Sequence, residues 1–239
     1  MIKSKLSAVK LNTMLGMQET LNSKITDAWR DDNHNWCAAI TGELWECYDH
    51  SGWKWWKDTS KGPDIDQMKM EVCDVWHFLL SEMMMYSLPE DGAYITLLTH
   101  LVNQVDSASE EMPINHPEGP IGFTRECLLN LIHVATDVDV DGTHIRQLIT
   151  GFYLLLMSMD MTWDELYKLY IAKNLLNTFR QAHGDKEGTY LRHWIGQEDN
   201  QYLTNAINNL DSDSESFVQD VCKALSTGYE VVLAFQAMP

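Results

Sequence analysis

The chain is short of positive charge: Lys and Arg number 17 against 35 Asp and Glu, for a formal net charge of -18. Non-specific binding to a nucleic-acid backbone depends on clustered Lys and Arg, so nucleic acid is not an expected partner. An acidic protein that handles a phosphorylated substrate must find positive charge elsewhere, and bound divalent metal is the readiest source. Long apolar runs are also missing. No stretch reaches the roughly 18 uninterrupted apolar residues of a membrane span, so no membrane partner is expected. The opening MIKSKLSAVKLNTML has neither a long apolar core nor a small-residue cleavage site, and no secretory signal is expected. The five cysteines (Cys37, Cys47, Cys73, Cys127 and Cys222) are an odd number without a C-x-x-C pair. Three of them fall in apolar helical runs, which points to buried free thiols, a reducing compartment and a soluble, cytoplasmic protein.

Strand signals are scarce, while apolar residues recur at helical spacing. The spacing predicts helices over 9–29, 33–50, 64–87, 92–108, 123–136, 142–159 and 163–183, an all-α fold. Thr162-Trp-Asp-Glu165 reads as a capping box opening the last of these, and Gly184 is placed to close it. A loop over 109–122 carries Pro113, Pro117 and Pro120 and separates two helical blocks. With 45% hydrophobic residues over 239 positions the chain can bury a full core. From Gln197 onward seven acids face a single Lys223. A short helix near 214–226 and a strand near 229–235 are expected there. The organisation expected is a domain over 1–203, with a mobile helical lobe around 88–146, and an acidic C-terminal extension over 204–239.

Two helices carry acids where apolar residues belong. At about 100° per residue, Glu43 falls between Trp36, Ala39, Ile40 and Cys47, in the middle of an apolar stripe, with Glu46 at its edge. An E-x-x-E pair is ordinarily a solvated face. Here that reading conflicts with the stripe, because an uncompensated buried carboxylate costs several kcal/mol. The run EVCDVWHFLLSEMMMY is apolar almost all round and should form a central helix, yet Glu71 and Asp74 interrupt it at i and i+3. No Lys or Arg is expected on that face to neutralise them. A hard divalent cation with oxygen ligands satisfies both helices at once, and two facing i, i+3 pairs suit two or three Mg²⁺ ions. Such clusters bind phosphate oxygens and activate water. Asp74-x-x-His77 resembles one ligand step of a di-iron bundle, but no second step follows at comparable spacing.

In YKLYIAKNLLNTFRQAHG, Lys173, Asn177 and Arg180 lie at i, i+4 and i+7 on one stripe, continuous with Leu166, Leu169 and Tyr170. Surface snorkelling would explain two cations there. Beside a four-acid cluster, gripping phosphate oxygens explains them better. Gln18 and Asn22 share a helix face, and Trp53-Lys54-Trp55-Trp56-Lys57 could line a pocket for a stacked base or pack in the core or at an interface. Asp137-Val-Asp-Val-Asp141-Gly142 opens like a calcium loop, but Leu148 stands where the bidentate Glu belongs.

The stretches MLGMQETLNSKI, GELWECYDHSGWKWWK, EVCDVWHF and LYIAKNLLNTFRQAHGDKEGTYLRHWIGQEDN run from about residue 11 to about 200. In that order they resemble the dimeric, all-α dUTPase family, which includes phage dCTP/dUTP pyrophosphatases and is related to MazG-like enzymes. The resemblance implies a helical bundle of the all-α NTP pyrophosphatase type. It implies an enzyme, dUTP diphosphatase, that converts dUTP to dUMP and pyrophosphate by attack at the β-phosphorus. Mg²⁺, two or three ions per site, would be held by Glu43, Glu46, Glu71 and Asp74. Glu43 and Glu46 would be catalytic, one of them, Glu43 by preference, orienting or deprotonating the attacking water. Gln18, Asn22 and Trp55 would surround the pyrimidine, and His77 and Phe78 would face the deoxyribose. Lys173, Asn177 and Arg180 would hold phosphates, with Asn200 closing over them. It further implies a homodimer with active sites near the subunit interface, and closure that brings residues 173–200 onto the metals. Other substrates open at this point are dUDP, dCTP, or both dCTP and dUTP. A non-catalytic, nucleotide-sensing regulatory protein is the reading from another class, and the intact set of four acids argues against it. One motif departs from the family: its usual G-Y-K is Gly184-Asp185-Lys186 here, an acid in place of a Tyr able to touch phosphate.

Overall fold

A computed structural model describes residues 5–58, 60, 62–86, 116–137 and 144–236. Eight helices are described: α1 (Ala8–Ile25), α2 (Trp36–His50), α3 (Ile65–Tyr86), α4 (Gly119–Thr136), α5 (His144–Ser158), α6 (Trp163–Ala182), α7 (Asp199–Ile207) and α8 (Phe217–Gln236). One two-residue hairpin, β1 (His193–Trp194) with β2 (Gln197–Glu198), precedes α7. The fold is all-α, as the spacing predicted. The helix expected over 92–108, the first half of the loop expected at 109–122 and the calcium-like loop over 138–142 lie outside the described residues, while the end of that first loop, from Gly119, is the opening turn of α4. Among those described, no helix is long and apolar enough to cross a membrane.

The predicted central helix is α3. It packs along α2 and also meets α1, α5 and α6. Met68, Met70, Val72, Cys73, Val75, Trp76, Leu79, Leu80 and Met83 are all buried, covering nearly the whole circumference. Trp76 stacks on Phe152 at 4.9 Å, and its indole N–H points at the Met14 sulfur, 3.3 Å away. Each large apolar side chain buried there contributes on the order of 1.5–3 kcal/mol. That gain is what allows α3 to carry Glu71 and Asp74 among them.

Local chemistry fixes the ends of the site helices. Ser7 caps α1 by accepting from the Lys10 N–H, and Asn35 caps α2 by accepting from the Ala38 N–H. The predicted capping box opens α6: the Thr162 hydroxyl accepts from the Glu165 N–H at 3.1 Å, and the Glu165 carboxylate accepts from the Thr162 N–H at 2.8 Å. Just past the end of α6, Gly184 turns the chain at φ +87°, where an added Cβ would lie 2.0 Å from the Thr189 hydroxyl.

Two expectations need correction. The helix predicted over 9–29 stops at Ile25, because Thr26 is extended (φ -152°, ψ 127°) and the chain continues in turns. Trp29 then folds back into the core, 2% exposed, and donates to the Glu19 carboxylate, which also pairs with Arg30. The strand expected near 229–235 is helical, part of α8. Phe217, Val221, Leu225, Tyr229 and Val232 are buried at helical spacing, while Val231, Leu233 and Phe235 face outward. Inward periodicity over five turns outweighs the strand preference of a β-branched and aromatic run. The boundary drawn at 203/204 falls inside α7. Leu203, Ile207, Phe217, Val221, Leu225 and Tyr229 join the same hydrophobic core as α3 and α6.

Candidate active site

Four elements converge on one cavity of about 540 Å³. From α1 and the turn after it come Gln18, Asn22, Thr26 and Trp29; α2 and the residues before it give His34, Trp36, Ala39 and Glu43. From α3 come Asp74, His77 and Phe78, and from α6 come Lys173, Asn177 and Arg180.

Glu43 and Glu46 sit one turn apart on α2, and Glu71 faces them from α3. Oxygens of these three carboxylates all lie within 4.8 Å of one another. Burial, then the charges of Asp74, Glu71 and Glu46, push the Glu43 carboxyl up to about 8. Glu46 is also raised, by burial first and then by Glu71 and Asp74. Like charges this close in a partly dry site cannot all ionise without a counter-charge. The nearby cations do not supply enough. His50 sits 3.6 Å from Glu71, which raises the imidazole's proton affinity. Three oxygen donors with unmet negative charge fit a hard divalent ion such as Mg²⁺.

Asp74 stands apart from that trio. Its carboxylate takes the Lys173 ammonium at 2.8 Å, so the expectation that these acids lack a Lys or Arg partner fails for Asp74. The partner comes from α6, more than 90 residues along the chain, where no reading of the α3 face could find it. Lys173 also donates to the Asn200 side-chain oxygen at 2.9 Å. Arg180 forks onto Asp199 with bonds of 2.8 and 2.7 Å and reaches Asn177 at 3.2 Å and Asn200 at 3.0 Å. Tyr190 completes the group, its hydroxyl donating to Asp199 at 2.8 Å. The hairpin at Ile195 and Gly196, both at positive φ, reverses the chain so that Asp199 and Asn200 come back over α6. Asp199 is 2% exposed and was not singled out from the sequence. Its only signal there is its place beside Asn200.

The two amides form a buried network. Gln18 donates to Asn22 at 2.9 Å and to the Ser81 hydroxyl at 3.2 Å, and Asn22 donates to the same hydroxyl at 3.0 Å. Ser81 donates its own hydroxyl to the His77 carbonyl at 3.1 Å, and the Tyr170 hydroxyl is shared between the Met14 carbonyl at 2.9 Å and the Gln18 oxygen at 3.0 Å. Ser81 and Tyr170 thus hold both amides in one orientation. Sequence reading missed them because their partners lie on other helices. His77 is neutral at physiological pH, since burial brings it down to about 4. Its Nδ1 donates to the Cys73 carbonyl at 2.8 Å, which leaves Nε2 as a lone-pair acceptor with no partner among the described residues. An acceptor beside the cavity suits a hydroxyl donor.

Trp55 is not brought to the cavity. It is 83% exposed and packs edge-on against Trp56 at 5.5 Å. The cavity's own indoles are Trp29 and Trp36, and the Trp36 N–H is buried without a partner among the described residues. Asp185, which replaces the family Tyr, lines the cavity and pairs with Arg192 at 2.7 Å.

A family profile described as dUTPase matches residues 10–184. The match takes in both amides, all four acids and the Lys173–Asn177–Arg180 stripe, and it stops short of Asp199 and Asn200. No individually curated protein matches the chain. With well over half of its length inside that match, the chain belongs to the dUTPase family.

Proposed function

We propose that the protein is a Mg²⁺-dependent dUTP diphosphatase, hydrolysing dUTP to dUMP and pyrophosphate. Membership of the dUTPase family supports a dUTP/dCTP pyrophosphatase-type activity. The observation that carries the finer reading is the convergence of Glu43, Glu46 and Glu71 within 4.8 Å beside a cavity that also holds two basic side chains and two locked amides. Glu43, Glu46 and Glu71, with Asp74 beside them, would hold the magnesium, which would supply positive charge for the phosphate oxygens and a more acidic bound water.

The residues of the chain do the rest. Lys173 and Arg180 grip the phosphates, and Asn177 and Asn200 fix their geometry. Gln18 and Asn22 read the base edge, with Phe78, Trp29 and Trp36 as apolar walls. Their fixed orientation favours one pyrimidine over a substrate that reverses donor and acceptor. The His77 Nε2 accepts from a sugar hydroxyl. Water adds to the β-phosphorus, the bond from that phosphorus to the bridging oxygen breaks, and dUMP leaves with that oxygen. The water's proton passes to the Glu43–Glu46 pair, whose carboxylates lie together with that of Glu71 at the metal cluster. The protein works as a homodimer in the cytoplasm; exposed Trp45, Trp55 and Trp56 offer apolar surface for the interface.

Pyrophosphate release from dUTP, dCTP and dTTP with Mg²⁺, by wild type and Glu71→Gln, tests this. The expected result is turnover of dUTP, lowered at least about a hundredfold in the variant while its helical signal is kept. Turnover of dCTP and not dUTP moves the assignment to a dCTP pyrophosphatase. Nucleotide binding with no pyrophosphate release makes the protein a sensor, and a variant as active as wild type removes the assigned role of Glu71.

A further inference from the structure

A second cluster of ligating side chains lies outside the cavity. Cys37 comes from the first turn of α2, Glu82 from the last third of α3 and His144 from the first position of α5. One ligand atom from each lies within 4.8 Å of the others, and exposures are 9%, 8% and 1%. The Cys37 sulfur is 3.4 Å from the His144 Nε2 and 3.8 Å from a Glu82 oxygen. Around a tetrahedral Zn²⁺ with bonds of about 2.3 Å to sulfur and about 2.0 Å to nitrogen or oxygen, neighbouring ligand atoms stand about 3.5 Å apart. The observed separations bracket that edge.

Charge supports the same reading. Glu82 is a buried acid; among the described residues its hydrogen-bond partner is a thiol, a weak donor, and no Lys or Arg pairs with it. A buried carboxylate left this way costs several kcal/mol. His144 has a second ring nitrogen, Nδ1, that is buried with no partner among the described residues, so no donor there forces a proton onto Nε2. A mixed sulfur, nitrogen and oxygen set selects a borderline ion and not Mg²⁺.

We propose that Cys37, Glu82 and His144 form a second metal site, for Zn²⁺ or an ion of similar softness, with water in the fourth position. Coordination forms bonds from the ion to sulfur, nitrogen and oxygen and releases the thiol proton to solvent. The ion ties the starts of α2 and α5 to α3, next to Trp36, which lines the nucleotide cavity. This site stands whether or not the protein hydrolyses dUTP.

The test uses the full chain, stripped with chelator and held in excess Mg²⁺ so that the carboxylate trio is occupied. Co²⁺ is then titrated as a spectroscopic probe, and Zn²⁺ competes for it. The expected result is a thiolate-to-cobalt charge-transfer band saturating at one ion per chain and displaced by Zn²⁺. Losing a ligand weakens Zn²⁺ binding at least about as much as losing an outer partner, so Cys37→Ser and Glu82→Gln should lower affinity by about a hundredfold or more. Zn²⁺ should raise the melting temperature of wild type and not of Cys37→Ser, which provides a second readout. Absence of the band in wild type overturns the proposal. So does a band that survives Cys37→Ser and disappears in Cys47→Ser or Cys73→Ser, since those thiols lie beside the active-site carboxylates.

Discussion

Replacing Asp199 by Asn should separate the phosphate grip from the rest of the fold. In the native protein Asp199 receives two bonds from Arg180 and one from Tyr190, all between 2.7 and 2.8 Å, and is almost fully buried. Burial alone would raise its proton affinity, but the bonds and charge of Arg180, with help from Tyr190, hold it below the usual carboxylate range. Breaking a buried pair by removing one charge costs about 3–5 kcal/mol. Arg180 keeps acceptors in Asn177 and Asn200 and borders a cavity, so a loss near the lower end, about 3 kcal/mol, is expected. Urea unfolding at pH 7 measures it, with an unchanged slope showing that the unfolded state is the same. Asp199 is depressed in the folded state, so its stabilisation is complete above the unfolded value of about 3.9 and fades as pH falls toward the folded one. Wild type and variant should therefore converge in stability below about pH 4. A loss under about 1 kcal/mol at pH 7, of the size expected for a surface pair, would refute the argument. So would a difference that does not shrink in acid.

Three further outcomes follow from the same geometry. Glu43 is raised to about 8, so the folded state binds its proton more tightly than the unfolded chain, and metal-free stability should fall as pH climbs from about 4.3 toward 8. Melting curves in chelator from pH 5 to 9 should show Glu43→Gln gaining on wild type as pH rises; a constant difference would contradict the assignment. Tyr229→Ala should cost about 3–5 kcal/mol by denaturant unfolding, because the ring stacks on Tyr190 at 5.3 Å and meets Phe179 and Trp194; a negligible change would mean α8 is not part of the core. Ser81→Ala removes the shared acceptor of Gln18 and Asn22 and should raise the ratio of dCTP to dUTP turnover, measured as kcat/KM for each; an unchanged ratio would show that Ser81 does not set amide orientation.

The sequence by itself determined most of the helices and the unusual position of the acids. Periodicity is a local property, and Glu43, Glu71 and Asp74 stand out because they break an apolar stripe whose direction is set within a few turns. The capping box at Thr162 and the turn at Gly184 are equally local, and both are found as predicted. The tertiary structure alone decided which charges meet. Lys173 neutralises Asp74 across two helices, Asp199 returns through a hairpin to hold Arg180, and Ser81 and Tyr170 pin amides on a third helix. Pairings of this kind depend on how helices are docked, and docking is fixed by the summed packing of side chains distant in sequence. The same holds for α8, whose β-branched run reads as strand until the core of α6 selects the helical face.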